Sequence, residues 1–326
     1  MKISVIVPSF NQGRFIKKTI DSILDQDGVD KEILVMDGGS SDETLDILKQ
    51  YNNLITWVSE PDRGQAHAIN KGLKNATGDI HCFLNSDDVY YPGALKRAID
   101  CFQQNKSIRI IYGNGNHIDE YDRHIEDYYN EPWDYERLLK ACYICQPATF
   151  WRREITEHYG CLDETLHYSL DYDYWLRIGS CEPLHYLEGE KLAGSRMYPD
   201  NKTMSQKLPA LEEALKVVRR YTPQPYTWLT GLAYVMASDE FEGKREYKTA
   251  LNILKLAGDH SILLNKEILD KVILKIESNS IPIPCKKHST KKLVSTCNAI
   301  VDMYNRNQLI YKISAELCKF LRALAT

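Results

Sequence analysis

Apolar positions along the chain alternate between two spacings. Ile3 to Val7 is an unbroken, mostly β-branched run, as in a strand covered on both faces, and it stops at Pro8. In the stretch NQGRFIKKTIDSILDQ, the residues Ile16, Ile20, Ile23 and Leu24 recur at helical spacing. EILVMD predicts a second buried strand, and SSDETLDILKQY a second helix, with Ser40 and Glu43 at capping-box spacing. LITWVS reads as a third strand and GQAHAINKGLKNA as a helix with small residues along one side. DIHCFLN and RIIYGN add two more strands. Between those two, FLNSDDVYYPGAL runs from a strand's carboxyl end through Asp87 and Asp88 into a helix for which Pro92 suits the first position.

Strands alternating with helices over about the first 115 residues predict an α/β fold with a mostly parallel sheet flanked by helices. The pattern loosens over about 116–205 and becomes mainly helical over 206–326, with Pro-rich breaks at 222–225 and 281–284. The expected organisation is therefore one domain over 1–205, in two halves (about 1–115 and 116–205), followed by a helical carboxyl-terminal region over 206–326. Composition adds little to this: 43% hydrophobic and 26% charged residues are ordinary for a soluble chain. The net charge of −4 argues against a nucleic-acid partner, and no apolar run reaches the roughly 18 residues of a membrane span. With no leader-like start, the nine cysteines read as reduced thiols in a cytosol. Cys142 and Cys145 form one CxxC without a second pair at zinc spacing, which points to structural thiols.

Polar residues collect where the strands end. The first strand ends in Pro8-Ser9-Phe10-Asn11, the second in DGGSSD, the third leads into SEPDRGQ and the fourth into NSDD. In open α/β sheets ligands sit beyond the carboxyl ends of the strands, so four such tips predict one shared pocket. No G-x-G-x-x-G follows the first strand and no Walker loop is present, which argues against a dinucleotide enzyme and a P-loop kinase.

Taken in order, VIVPSFNQGRFIKKTIDSILDQ, DGGSSDETLDIL, EPDRGQAHAINKGL, ATGDIHCFLNSDD and DYDYWLRIG resemble the family 2 glycosyltransferases of the GT-A fold, over about residues 1–205. The resemblance implies inverting transfer of a sugar from a nucleoside diphosphate sugar, usually UDP-linked, with a divalent metal, Mn²⁺ or Mg²⁺. It also implies a glycan or lipid-linked glycan acceptor in surface polysaccharide or lipopolysaccharide synthesis. Two positions depart from the family pattern: Asn85 stands where many relatives begin the metal motif with Asp, and Leu170 precedes Asp171 where an acidic neighbour is usual.

By resemblance Asp88 touches the metal and Asp87 the ribose, while Asp37 accepts a hydrogen bond from the base. A diphosphate brings about two negative charges that call for a hard cation and its carboxylate ligands. Pro8, Phe10 and Asn11 are expected to shape the base pocket, and Arg63 to lie against the base or pair with pyrophosphate; an ion pair with Asp62 is its alternative. CQPATFWRRE resembles the segment under the sugar and acceptor, with Gln146 toward sugar hydroxyls and Phe150 and Trp151 in the core. Asp171 falls at the family's catalytic base. Asp173 is the fallback and stands at i,i+4 spacing to Arg177. Arg196 and Lys202, in AGSRMYPDNKTMS, resemble a flexible segment that closes over the diphosphate and neutralises the leaving nucleotide.

The tail is a separate signal. Residues 285–326 carry eight Lys or Arg against two acids, a net of +6. Ile310, Ile313, Leu317, Phe320, Leu321 and Leu324 make one apolar helical stripe there. The pattern suits an anionic membrane surface, packing on the main domain, or an oligomer contact, and it predicts a cytoplasmic protein peripheral to the inner membrane face. Two rival functions remain at this level: a nucleotide-sugar-binding protein without turnover, and a glycosidase using two carboxylates.

Overall fold

The computed structural model describes residues 1–222. The break beginning at Thr222, the one at 281–284 and the basic tail over 285–326 therefore lie outside the described residues, apart from Thr222 itself. Met1–Leu138 and Cys142–Ser205 form one compact unit, and Leu139–Ala141 belong to a second with the chain from Gln206 on.

In the first unit β1 (Lys2–Ser9) leads to α1 (Ile16–Leu24), β2 (Asp30–Asp37) to α2 (Thr44–Gln50), and β3 (Thr56–Ser59) to α3 (Gln65–Asn75). β4 (Ile80–Phe83) passes through the two-residue β5 (Val89–Tyr90) into α4 (Ala94–Gln104). Then come β6 (Ile110–Gly113), β7 (Gly115–Ile118), β8 (His124–Asp127) and α5 (Tyr135–Leu138). A 3-10 turn at Gln146–Ala148 precedes β9 (Thr149–Arg152), α6 (Arg153–Tyr159) and α7 (Leu170–Gly179). The unit closes with β10 (His185–Leu187), β11 (Ala193–Arg196) and α8 (Lys202–Ser205). The second unit contributes α9 (Lys207–Val218).

Seven strands form the main sheet in the order β10-β6-β9-β4-β1-β2-β3. All neighbours are parallel except β9, which runs against both β4 and β6. The β-branched run of β1 is fully buried, as a central parallel strand requires. Ile16, Ile20 and Ile23 bury one face of α1, and Leu24 stays half-exposed. Phe150 and Trp151 are core residues: Trp151 meets Tyr174 and Trp175 edge-on at 5.6 and 5.7 Å. A second sheet, β5-β11-β7-β8, stands on the segment after β4.

Two local readings of the sequence need correction. Ser40 does not cap α2, because its hydroxyl is committed to Asp37 and to the amide of Asn11. Asp42 takes over instead, accepting the Thr44 amide at 3.0 Å and the Gly13 amide at 2.9 Å. The chain after Asp88 does not enter a helix at Pro92, since Val89 and Tyr90 first pair with Gly194 and Ala193 of β11. The helix begins only after Gly93, whose φ of 81° ends that excursion.

The strand order locates the crevice. From β1 the chain moves out to β2 and β3 on one side, then crosses back to lay β4 on the other. The tips of β1 and β4 therefore flank the point where the order reverses, the place where such sheets bind ligands.

Candidate functional site

At the tip of β2, Asp37 is fully buried and organises the surrounding loops. Its Oδ2 accepts the amides of Gly39 and Ser40 at 3.1 and 2.9 Å and the Ser59 hydroxyl at 2.6 Å. Its Oδ1 takes the Ser40 hydroxyl. The carboxylate thus ties the ends of β2 and β3 together, with one oxygen only singly engaged. Gly38 lets the next loop in, as a Cβ there would lie 2.8 Å from Asp62 Oδ2. Pro8 is buried in β1 opposite Met36. Phe10, two residues further, leaves 60% of its surface exposed at the strand tip. Asn11 sits in the left-handed region at φ 52° and accepts the Ser41 amide at 2.9 Å.

Arg63 is an exposed side chain that pairs with Glu164 across the loop rather than with Asp62. Asp62 caps the turn by accepting the Gly64 amide at 2.8 Å.

The tip of β4 places the two adjacent aspartates together. Asp88 is buried; its Oδ1 accepts the Arg196 amide at 2.8 Å and its Oδ2 the Asn85 side-chain amide at 3.1 Å. Thr19 on α1 donates to the Asp88 carbonyl at 2.8 Å, which fixes the backbone from the other side. Asp87 is partly exposed and its Oδ2 accepts the Tyr198 hydroxyl at 2.9 Å. Burial pushes the Asp88 carboxyl well above the usual aspartate range, and repulsion from Asp87 adds to it. Burial likewise raises Asp87, only partly offset by Tyr198 and Arg196.

Arg196 is not on a flexible basic loop. It ends β11 fully buried, and each of its three guanidinium nitrogens has an internal acceptor. Nε donates to the Asp87 carbonyl at 2.7 Å, Nη1 to the Asp119 carbonyl at 2.6 Å and Nη2 to Asp122 at 2.6 Å. The guanidinium also lies 4.8 Å from the centre of the Phe15 ring. Lys202, by contrast, is exposed, with Nζ 3.1 Å from Gln65 Oε1 and 5.5 Å from the centre of the Tyr168 ring.

Gln146 starts the 3-10 turn and donates to the Phe83 carbonyl at 2.7 Å, so its amide braces the β4 tip. Asp171 lies in the first turn of α7, part-exposed, accepting the Tyr172 amide at 2.8 Å. Asp173 turns inward, with a side chain 3% exposed that faces Arg177 at 3.7 Å. Arg177 itself is anchored on the carbonyls of Tyr159 and Cys161. The structure thus brings Asp87, Asp88, Arg196, Lys202 and Gln146 into one connected cluster. Arg63 belongs to a separate surface pair and Asp173 to an interior one. Sequence reasoning missed Tyr198 and Gln65. Neither carries a local signal, because Tyr198 meets Asp87 across 111 residues and Lys202 meets Gln65 across 137.

The carboxylates fit a hard divalent cation. Two adjacent carboxyls of raised proton affinity offer oxygen donors at a ligand-facing strand tip. Among the described residues no group of three or more His, Cys, Asp or Glu converges as a complete metal cage. A cation here would take its remaining ligands from water and substrate oxygens.

The mostly parallel sheet flanked by helices, with its carboxylate pair beyond the strand ends, is of the GT-A class of fold. Residues 4–160 form a Glycosyl transferase family 2 domain, and the protein is a glycosyltransferase. It is 28% identical over 296 residues to an uncharacterized glycosyltransferase of Rickettsia typhi, covering 82% of this chain and 90% of that one. It is 26% identical over 214 residues to the chondroitin synthase of Escherichia coli, covering 65% of this chain but 31% of that protein. Among solved structures it resembles S. aureus TarS 1-349 in complex with UDP-GlcNAc, at 17% identity and a TM-score of 0.53 over 100% of this chain and 90% of that one. A mannosyltransferase of Pyrobaculum calidifontis in complex with GDP-Man and Mn²⁺ gives 17% identity and a TM-score of 0.55 over 99% and 86%. These structural likenesses show the fold.

Proposed function

We propose that the protein is an inverting, metal-dependent glycosyltransferase acting within 1–205. It moves a hexosyl or N-acetylhexosaminyl group from a UDP-linked donor to a hydroxyl of a glycan or lipid-linked glycan in surface polysaccharide or lipopolysaccharide synthesis. The observation that carries the reading is the Asp87–Asp88 pair: two carboxyls driven toward their protonated forms by burial at the crevice of the sheet. Such a pair is costly without a cation and suited to one. That structural neighbours were solved with UDP-GlcNAc, and with GDP-Man and Mn²⁺, supports the same donor chemistry.

In this reading Phe10 and the backbone of Pro8 and Asn11 enclose the base, and the free side of Asp37 Oδ1 accepts its N–H. Asp87 receives the ribose. When bound at Asp88, Mn²⁺ or Mg²⁺ neutralises the diphosphate and stabilises its departure. Lys202 adds a positive charge on the leaving side, and Arg196 holds the carboxylates that the cation requires. Gln146 borders the sugar. Asp171 removes the acceptor proton as the hydroxyl attacks from the face opposite the diphosphate. Of the two nearby carboxylates on α7, it is the one left part-exposed.

Isothermal titration with UDP and Mn²⁺, run beside a UDP-sugar hydrolysis and transfer assay, tests this. Metal-dependent UDP binding with turnover is the expected result. Binding without turnover would make the chain a nucleotide-sugar-binding protein, and turnover indifferent to metal and nucleotide would make it a glycosidase. Among the described residues no helix is long and apolar enough to cross a membrane. The basic tail over 285–326 is proposed to hold the enzyme at an anionic surface, by about 1 kcal/mol per basic residue near it. Flotation on anionic liposomes should be lost on removing those residues.

A further inference from the structure

The four outer strands of the two sheets end their ladders differently. The outer amide of β5, at Tyr90, is taken by the Ser22 hydroxyl at 3.1 Å. β10 is flanked by Glu182 and Pro183 before it and by Glu188 after it. β8 exposes His124, Glu126 and Asp127, and its pairing with β7 shifts register at Ile125. Charges, proline and broken register are common devices against strand-to-strand association. β3 lacks all three. Residues 50–59 hold no charge and no proline, and β3 pairs with β2 in unbroken register from Thr56 to Ser59.

The backbone of β3 has groups to offer on its free side. In a parallel ladder the N–H and C=O of one residue point the same way, and successive residues alternate. Glu60 donates to the Asp37 carbonyl at 3.0 Å, so Glu60, Val58 and Thr56 turn toward β2. Trp57 and Ser59 therefore turn their N–H and C=O groups outward. Beside them Val58 is 41% exposed, and Leu54, just before the strand, is 60% exposed.

A second copy of the chain fits this edge. Laid antiparallel about Val58, it sets Trp57 of each copy opposite Ser59 of the other, so the same four groups are used on both sides. Val58 then meets its own counterpart. No like charges are brought together within the run, and its two ends have opposite signs, Lys49 before it and Glu60 after it, both exposed. An antiparallel copy places the basic end of one beside the acidic end of the other.

We propose that β3 is a self-association edge, through which two copies join their main sheets by antiparallel β3–β3 pairing about a two-fold axis at Val58. The patch is small against the roughly 800 Å² per partner of a standard interface, so the dimer dissociates on dilution. The pairing is independent of the donor chemistry proposed above.

Light scattering of the full chain over a concentration series should show the mass rising from one chain to two. Val58→Lys, which sets two like charges on the axis, should weaken the dimer by about a hundredfold. Leu54→Glu, which adds an acid beside the acidic end of the other copy, should weaken it by about tenfold. Ile125→Lys, on the guarded β8, should leave it unchanged. All three side chains are exposed, so melting temperatures of the dilute proteins should match the wild type; if one variant fails to fold, the other β3 variant decides. In hydrogen exchange the Trp57 and Ser59 amides should slow as the wild type is concentrated, and not in Val58→Lys. A wild type that stays at one chain mass, a dimer that both β3 variants keep, or assemblies that grow past two would overturn the proposal. So would loss of the dimer in Ile125→Lys as strong as in Val58→Lys. Protection of Trp57 and Ser59 that dilution leaves unchanged would also overturn it, since the edge would then be covered from within one chain.

Discussion

At the amino-terminal edge of the main sheet, Glu32 is met by donors from several directions: Lys2 Nζ at 2.7 Å, the Thr77 amide at 2.6 Å, the Thr77 hydroxyl at 2.9 Å, and Ser4 beside it in register. At the opposite end, the neighbouring Asp87 and Asp88 have fewer donors. Burial acts on both places in the same direction. It would raise Glu32, but Lys2, Ser4 and Thr77 bring that carboxyl down to about 2. No comparable set of donors offsets burial at Asp88, and it stays high. One end of the sheet satisfies its carboxylate with the chain's own groups, and the other leaves its pair with burial only partly offset. Even Gly78 serves the first end, since a Cβ there would stand 2.8 Å from the Ser4 amide nitrogen and 2.9 Å from the Lys2 carbonyl.

Substitutions should split along that line. Asp88→Asn should abolish metal-dependent transfer, a loss of about a thousandfold or more from several kcal/mol of lost charge stabilisation, measured in steady-state assays. Its melting temperature without metal should stay level or rise, because a buried like-charge contact is removed; a clear fall would erase the contrast. Asp171→Asn should cost roughly a hundredfold or more in transfer rate with UDP affinity unchanged. Asp173→Asn, at an interior ion pair, should lower stability rather than select against the acceptor.

Glu32→Ala should reverse the first pattern. It strands the Thr77 and Ser4 donors and should destabilise the fold by about 1–3 kcal/mol in urea titrations, with kcat per folded molecule unchanged.

The smallest effects lie in pH dependence. Glu32 has a depressed folded pKa, so its contribution is complete above 4.5 and is lost as pH falls toward about 2. His81, pushed down to about 4 by burial, is neutral in the fold, and its contribution fades as pH falls from 6.5 toward 4. Asp87 and Asp88 run the other way. Their raised folded values mean that stability declines as pH rises above 3.8, the ordinary aspartate value. Melting curves across pH should therefore show Glu32→Gln flattening the acid limb, and saturating Mn²⁺ flattening the decline on the other side. Identical profiles with and without Mn²⁺ would count against the pair as the cation site.

Much of this was legible in the sequence, for local reasons. Buried parallel strands announce themselves as β-branched runs, α1 as an apolar stripe and α3 as a helix with small residues along one side, because each pattern lies within one element. The strand tips were legible too, since carboxylates and glycines cluster next to the run they terminate. What escaped was set by distant partners. The start of α4 was misplaced because β11, more than a hundred residues on, draws Val89 and Tyr90 into a strand. Ser40 looked like a cap until Asp37 and Asn11 claimed its hydroxyl. Arg196 read as a mobile charge, and only the turn around Asp119 and Asp122 shows why it is buried.

The β5–β11 pairing also has a consequence for the order of assembly. Val89 and Gly194 close a loop of more than a hundred residues, and such closures are slow because chain entropy must be surrendered before the contact rewards it. As the chain is synthesised, β1 to β4 and their helices are complete long before Arg196 exists. The carboxylate pair is then present but lacks the amide and guanidinium that hold it. The scaffold matures first and the strand tip last, so a partly made chain has most of its sheet before its carboxylate pair is held in place.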